Sequence, residues 1–259
     1  FYVAISSGGR MYWGGKVESD SNLLDITSEQ SSLLLAAQHG DFKVTRVVTL
    51  VESEIPSVSP LSLKIITDWS TRTEIPVSYQ VITKEGGVVF KIDDVHLSLP
   101  WYIPQKNTLT LPKEKLGNNF ETGTDDSPEE LKRIAMKGLA RGFHNYDGAT
   151  TYGVSVRTKS GTTYYTSQYS SPDKRLGVHA EVAGLVSAFM HGEKDVTHLG
   201  LISPKFKTTP CVPCGACRQF IGEFSKKNGW DLTILSFASE SEDVLKFSVA
   251  DLIPHIWAS

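Results

Sequence analysis

The 259-residue chain contains three cysteines, three methionines and no apolar run approaching the 18 or more residues that a membrane-spanning helix needs. No membrane segment is therefore expected. Phe1 to Ile5 is too short for a signal-peptide core and has no basic region before it, so export is not indicated. Cysteines so few, odd in number and crowded between 211 and 217 cannot staple a secreted fold, which points to a reducing cytoplasm. A surplus of one charge is also missing. The formal net charge of −3 gives no global attraction to phosphate backbones, although Lys205, Lys207, Arg218, Lys226 and Lys227 offer a local patch. What is present, 40% hydrophobic and 21% charged residues, is an ordinary globular composition in a chain long enough for two domains.

The first hundred residues alternate between strand and helix signals. A hairpin is predicted over 1 to 18, a helix from Ser28 toward Gly40, a β-branched strand from Val44 to Leu50, a helix from Leu61 to Trp69 after Pro60, and strands at Val77 to Ile82 and Val88 to Ile92. Residues 105 to 127, rich in Thr, Asn, Gly, Lys and Asp, carry no apolar period and read as a linker. The second half opens on Ser127 as an N-cap, Pro128 at the first helical position and Glu130 completing a capping box, with Leu131, Ile134, Ala135 and Leu139 as the apolar stripe. Strands from Tyr152 to Arg157 and Thr162 to Thr166, a helix from His179 to about His191, and strands from His198 to Ile202 and Leu232 to Phe237 follow.

The halves keep register: Glu29 to Pro60 spans 31 positions and Glu181 to Pro213 spans 32. A duplicated domain is the simplest reading. Aligned this way, His179, Cys214 and Cys217 face Thr27, Leu61 and Lys64, so the N-terminal copy cannot bind a metal in the same way.

All three cysteines lie in Pro210 to Gln219, P-C-V-P-C-G-A-C-R-Q. Upstream, His179-Ala180-Glu181 supplies an imidazole and a carboxylate. Borderline-soft zinc accepts thiolates and imidazole, and a catalytic site keeps a fourth position for water, so His179, Cys214 and Cys217 suit Zn2+. If Pro213 begins a helix, Cys214 and Cys217 share its face near the positive dipole end, which favours thiolates. Glu181 would then take a proton from the water and pass it on. P-C-x-x-C also matches as Pro210-Cys211 with Cys214, and a closed site of His179 with all three cysteines would be purely structural.

H-x-E with P-C-x-x-C is a zinc deaminase signature, and Cys214-Gly215-Ala216-Cys217-Arg218-Gln219 resembles the C-G-x-C-R-Q of cytidine deaminases. Asp251 to Trp257 is similar to the closing L-P-x-x-F of that family. The resemblance implies an α/β fold of two tandem cytidine deaminase-like domains, each a mixed, roughly five-stranded sheet flanked by helices. The division would be a degenerate domain over 1–104, a linker over 105–127 and a catalytic zinc domain over 128–259. It implies hydrolytic deamination of a nucleoside or nucleobase, cytidine or deoxycytidine favoured, with metal-bound water attacking the amino-bearing ring carbon and Glu181 as proton shuttle.

It also implies homodimeric assembly, an arginine supporting the thiolates, and a substrate pocket containing Ala180, Thr150, Tyr152, Gln168 and Trp257. The family's ribose-binding N-x-E and base-packing F-x-V-G-A correspond here to Ser167 to Ser170 and Thr150 to Val154, which lack the Asn, Glu and Phe. A longer loop around Ser203 to Thr209 would lie beside the pocket. Deamination of bases in single-stranded DNA or RNA and a non-catalytic zinc module are the alternative readings.

Overall fold

Strand and helix signals separated by short polar turns produce two mixed sheets in the computed structural model, which describes residues 2–21, 24–52, 58–97, 116–143, 150–171 and 173–253. The first half runs β1 (Tyr2–Ser6), β2 (Met11–Gly14), α1 (Ser28–Gln38), β3 (Val44–Val51), α2 (Pro60–Thr73), β4 (Ser78–Thr83) and β5 (Val88–Ile92). The second runs β6 (Phe120–Thr122), α3 (Pro128–Gly138), β7 (Gly153–Thr158), β8 (Thr162–Ser167), α4 (Ala180–Met190), β9 (Val196–Ile202), α5 (Gly215–Asn228), β10 (Thr233–Phe237), β11 (Val244–Ser248) and α6 (Val249–Leu252).

Sheet order is β2-β1-β3-β4-β5 in the first half and β11-β10-β9-β7-β8-β6 in the second. Read in opposite directions these are one topology, with β6 added beyond β8. Each sheet has a single parallel pair, β3 with β4 and β9 with β10. Even the irregularities repeat: the register of β1 on β3 slips after Ile5, and that of β7 on β9 slips after Arg157. After α1 and α4 the chain reverses at Gly40 (φ 66°) and Gly192 (φ 84°), a left-handed backbone that favours glycine. Among the described residues no helix is long and apolar enough to cross a membrane.

The structure shifts the predicted internal alignment at one place. Thr27 is the N-cap of α1 as His179 is of α4, as the sequence register has it. The N-caps of α2 and α5, however, are Ser59 and Cys214, so Cys214 corresponds to Ser59 and Cys217 to Ser62, not to Leu61 and Lys64. Pro60 opens its helix whereas Pro213 precedes its own, because the β9–α5 connection is longer than the β3–α2 one.

Two local expectations also change. The stretch read as a linker contains β6, which pairs antiparallel with β8 and makes the second sheet six-stranded. At α3, Ser127 Oγ accepts from the Glu130 backbone N–H at 3.3 Å, but the capping box is not completed. Asp125 accepts the Ser127 N–H at 2.8 Å, and Glu130 turns to Arg133 instead.

α3 covers one face of the second sheet, packing Leu131 and Ala135 on Ile202, Leu235 and Phe237. α4 lies on the other face, so close that a Cβ at Gly184 would meet Val156 Cγ2 at 2.6 Å. The remaining core runs unbroken through both halves. At its centre Trp69 stacks on Phe143 (4.7 Å between centroids) and Phe143 on Tyr169 (4.6 Å), with Phe42 beside them. Such pairs add roughly 0.5–1.5 kcal/mol each beyond their buried area.

Candidate metal centre and pocket

Two helix starts meet at the site. His179 and Cys214 are the N-caps of α4 and α5, and neither makes a side-chain cap hydrogen bond, so both turn to a common point. Cys217 sits one turn into α5. His179 Nδ1 lies 3.4 Å from Cys214 Sγ and 3.3 Å from Cys217 Sγ. Tetrahedral zinc with ordinary Zn–N and Zn–S bonds places such atoms about 3.6 Å apart. The three donor atoms lie within 4.8 Å of one another, and among the described residues they form the one group of this kind. Cys211 is buried outside this group, which is made by the cysteines of the second P-C-x-x-C frame.

Ionisation follows from this packing. The Cys214 thiol is lowered to about 3, first by its hydrogen bond with Cys217 and then by His179. Cys217 is held well up by that same interaction and by burial. His179 is raised by the Cys214 sulfur, while burial first and the nearby Glu181 charge second push Cys211 up to about 12. The unsatisfied N–H groups of both helix starts favour negative charge here. Arg218 supports the site through backbone, its Nε donating to the Pro213 carbonyl at 2.8 Å and pinning the turn before Cys214.

Glu181, in the first turn of α4, is 5% exposed and its carboxyl is pushed up chiefly by burial. It lines a cavity of about 420 Å3 together with His179, Cys214, Ala180, Thr150, Tyr152 and Gln168. Gln168 also builds this wall: its Oε1 accepts from Tyr152 N at 3.1 Å, and its Nε2 donates to the Thr150 carbonyl at 2.6 Å and to Ser170 Oγ at 3.0 Å. Trp257 lies outside the described residues. Tyr169, Ser170, Ser171, Lys174, Gly177, Val178 and Val212 complete the lining. Sequence reasoning did not assign these as substrate contacts, although a Tyr-Ser-Ser run between β8 and α4 was a signal. The Ser203 to Thr209 loop does not reach the cavity; its backbone is tied to Ser239 and Glu240.

A second cavity of about 190 Å3 lies on the other flank of His179, where Leu24, Asp25, Ile26 and Gln30 of the first half meet Ala216 and Phe220. The first half has its own buried glutamate at the matching place, Glu29, but Thr27, Ser59 and Ser62 stand where the metal donors are in the second.

The class these features define is a mixed sheet flanked by helices built twice, in which, among the described residues, the second copy alone carries a His/Cys2 group able to hold a metal. Among particular proteins, the chain is 32% identical over 96 residues to a cytidine deaminase of Vibrio atlanticus (strain LGP32), a match covering 36% of this chain and 30% of that protein. It is likewise 32% identical over 108 residues to a cytidine deaminase of Vibrio vulnificus (strain YJ016), covering 40% of this chain and 33% of the relative. The matched stretch thus spans about a third of the curated relatives. Among solved structures, cytidine deaminases from Burkholderia pseudomallei (22% identity, TM-score 0.45, 51% of this chain and 99% of that one) and Mycobacterium leprae (18%, 0.41, 51% and 100%) are similar. No protein-family model matches the chain.

Proposed function

We propose that the chain is a zinc-dependent hydrolytic deaminase of a nucleoside or nucleobase, with a cytidine-like substrate favoured. The observation that carries this is the buried Glu181 carboxyl in the same cavity as an imidazole and a thiolate spaced for zinc. His179 Nδ1 and the sulfurs of Cys214 and Cys217 would hold the ion. Zinc bound there supplies a Lewis acid that lowers the pKa of water toward neutrality.

The chain's own residues do the rest. Glu181, its carboxyl raised chiefly by burial, would accept a proton from the attacking water and pass it to a ring nitrogen, then carry a second from the newly added hydroxyl to the departing amine. Thr150, Tyr152, Gln168 and Ala180 form the walls that orient the base. A cavity of about 420 Å3 lies within the usual range of small-molecule pockets and favours a free nucleoside or base over a polymer. The boundary between the halves is part of the proposal: residues 1–104 as the degenerate copy, 105–127 as the connecting stretch, whose β6 joins the second sheet, and 128–259 as the catalytic copy. A reducing, cytoplasmic setting is proposed with it, since the site needs free thiols.

The test is ammonia release by wild-type protein and Glu181→Ala from cytidine, deoxycytidine, free bases, purine nucleosides and single-stranded DNA and RNA, with zinc content measured alongside. Expected is release from a nucleoside or base, reduced roughly 10^2- to 10^4-fold in a variant that keeps its zinc. Release only from polymers would move the assignment to base editing. Undiminished release by Glu181→Ala would end it.

A further inference from the structure

The wall of the catalytic cavity is fastened from the other half of the molecule. α2 carries an apolar face of Ile65, Ile66 and Trp69 interrupted by two charges, Asp68 and Arg72, which are themselves buried at 1% and 4% exposure. Tyr169 OH donates to Asp68 Oδ2 at 2.9 Å and Ser171 Oγ to Asp68 Oδ1 at 3.2 Å. Arg72 Nη1 donates to the Ser170 carbonyl at 2.5 Å and to Asp68 Oδ2 at 3.3 Å, and its guanidinium lies 4.1 Å above the Phe143 ring. Lys64, one turn earlier, pairs with Asp173. The three residues held by Asp68 and Arg72, Tyr169, Ser170 and Ser171, all line the cavity.

The mirror image of this arrangement exists. In α5 the residue matching Asp68 is Glu223, also 1% exposed, and it accepts from Ser19 Oγ at 2.7 Å and Asp20 N at 2.9 Å. Ser19 is the counterpart of Ser171: each lies two residues beyond a bridge that closes the same loop, Val17 with Ile26 and Tyr169 with Val178. Lys227, matching Arg72, pairs with Asp20 at 2.7 Å. Each half therefore carries a buried carboxylate whose hydrogen bonds fix a loop of the other half, the one leading into α4 or into its counterpart α1. One of the two loops ends at Thr27, the other at His179.

We propose that Asp68 and Arg72, on the half without metal donors, are positioning residues for the catalytic pocket, setting the 168–171 wall that the substrate contacts; this rests on the deaminase reading above. A buried ion pair seldom adds net stability over apolar residues of like size, whereas its hydrogen bonds fix geometry. Misplacing a binding wall by about 1 Å costs up to roughly a hundredfold in turnover efficiency.

The experiment uses full-length Asp68→Asn, the milder Tyr169→Phe, and Glu223→Gln as the mirror variant. Zinc content, amide hydrogen exchange by peptide, and KM and kcat for cytidine are measured on each, or for whichever probe of the panel above is turned over. Asp68→Asn is expected to keep its zinc, to exchange faster within 168–177, and to raise KM about tenfold with kcat changed far less. Tyr169→Phe should do the same more weakly. Glu223→Gln should speed exchange in 16–21 and leave 168–177 protected.

Unchanged exchange in 168–177 and unchanged KM in a folded Asp68→Asn or Tyr169→Phe would overturn the proposal. So would loosening spread evenly over the chain, the mark of lost stability alone. If the wild type binds zinc yet releases no ammonia from any probe, the deaminase reading fails, and the exchange pattern still decides whether α2 holds this wall.

Discussion

The same pair of helix starts serves opposite ends in the two halves. In the first, Thr27 Oγ1 accepts from Gln30 N at 3.1 Å while Gln30 Oε1 accepts from Thr27 N at 2.9 Å, and Ser59 Oγ accepts from Leu61 N at 3.2 Å. Each N-cap there closes its own helix. In the second half His179 and Cys214 leave α4 and α5 uncapped and point at each other, 3.4 Å apart. An N-cap contributes about 1 kcal/mol, so the second half forgoes roughly 2 kcal/mol of local stability to assemble a donor set. The buried glutamates diverge in the same sense. Glu181 faces a cavity, whereas Glu29 is engaged by the hydroxyls of Ser62, Thr27 and Tyr2. Around it Tyr2, Thr49 and Tyr79 stand where the second half has Val154, Leu201 and Ile234.

Making the second half like the first gives the largest effect. His179→Thr with Cys214→Ser and Cys217→Ser should eliminate zinc binding and, with it, ammonia release, as read by metal analysis and assay of the purified protein. The reverse exchange, Thr27→His with Ser59→Cys and Ser62→Cys, should raise zinc from one to two per chain without adding activity, because Tyr2 already engages Glu29. A second active centre in that variant would show that donors alone separate the halves.

Glu29→Gln tests the polar interior more gently. Burial raises the Glu29 pKa, so this carboxyl supports the fold below its unfolded pKa and loses that contribution as pH rises through the folded value. The variant should melt higher than wild type at pH 8, by about 2 °C, and the difference should vanish as the pH falls below the ordinary carboxylate range. An equal gain at every pH would assign the effect to packing. Smallest of all, Thr27→Ala should cost about 1 kcal/mol by urea titration, while His179→Ala in zinc-free protein should cost less, since His179 caps nothing.

The His/Cys2 donor group was legible because it is local. H-x-E and C-G-x-C-R-Q place donors and carboxylate within single turns, and a cysteine pair three apart needs only one helix start to converge. The fold was legible where period and punctuation agree, as in α3 behind Ser127 and Pro128. Loops defeated the internal alignment: with a longer turn before α5, matching Pro60 to Pro213 displaced both cysteine counterparts. β6 escaped because Phe120-Glu121-Thr122 is too short to show alternation and is defined by the edge of β8. Asp68 lies far from Tyr169 in sequence, and the one hint was a carboxylate on the apolar face of a helix. Arg218, expected beside the thiolates, grips a carbonyl instead.

The stack of rings at the centre bears on how far this chain could ever be reduced. Phe42 and Trp69 come from one copy, Phe143 and Tyr169 from the other, and no cut between the copies leaves the pile whole. Severed, either piece would present roughly 300–500 Å2 of aromatic surface to water, as large a greasy patch as soluble monomers carry. The copy without metal donors among its described residues is thereby tied to the other: deleting it would uncover its sister's share of the stack, so the half that offers no chemistry of this kind still keeps the other one soluble.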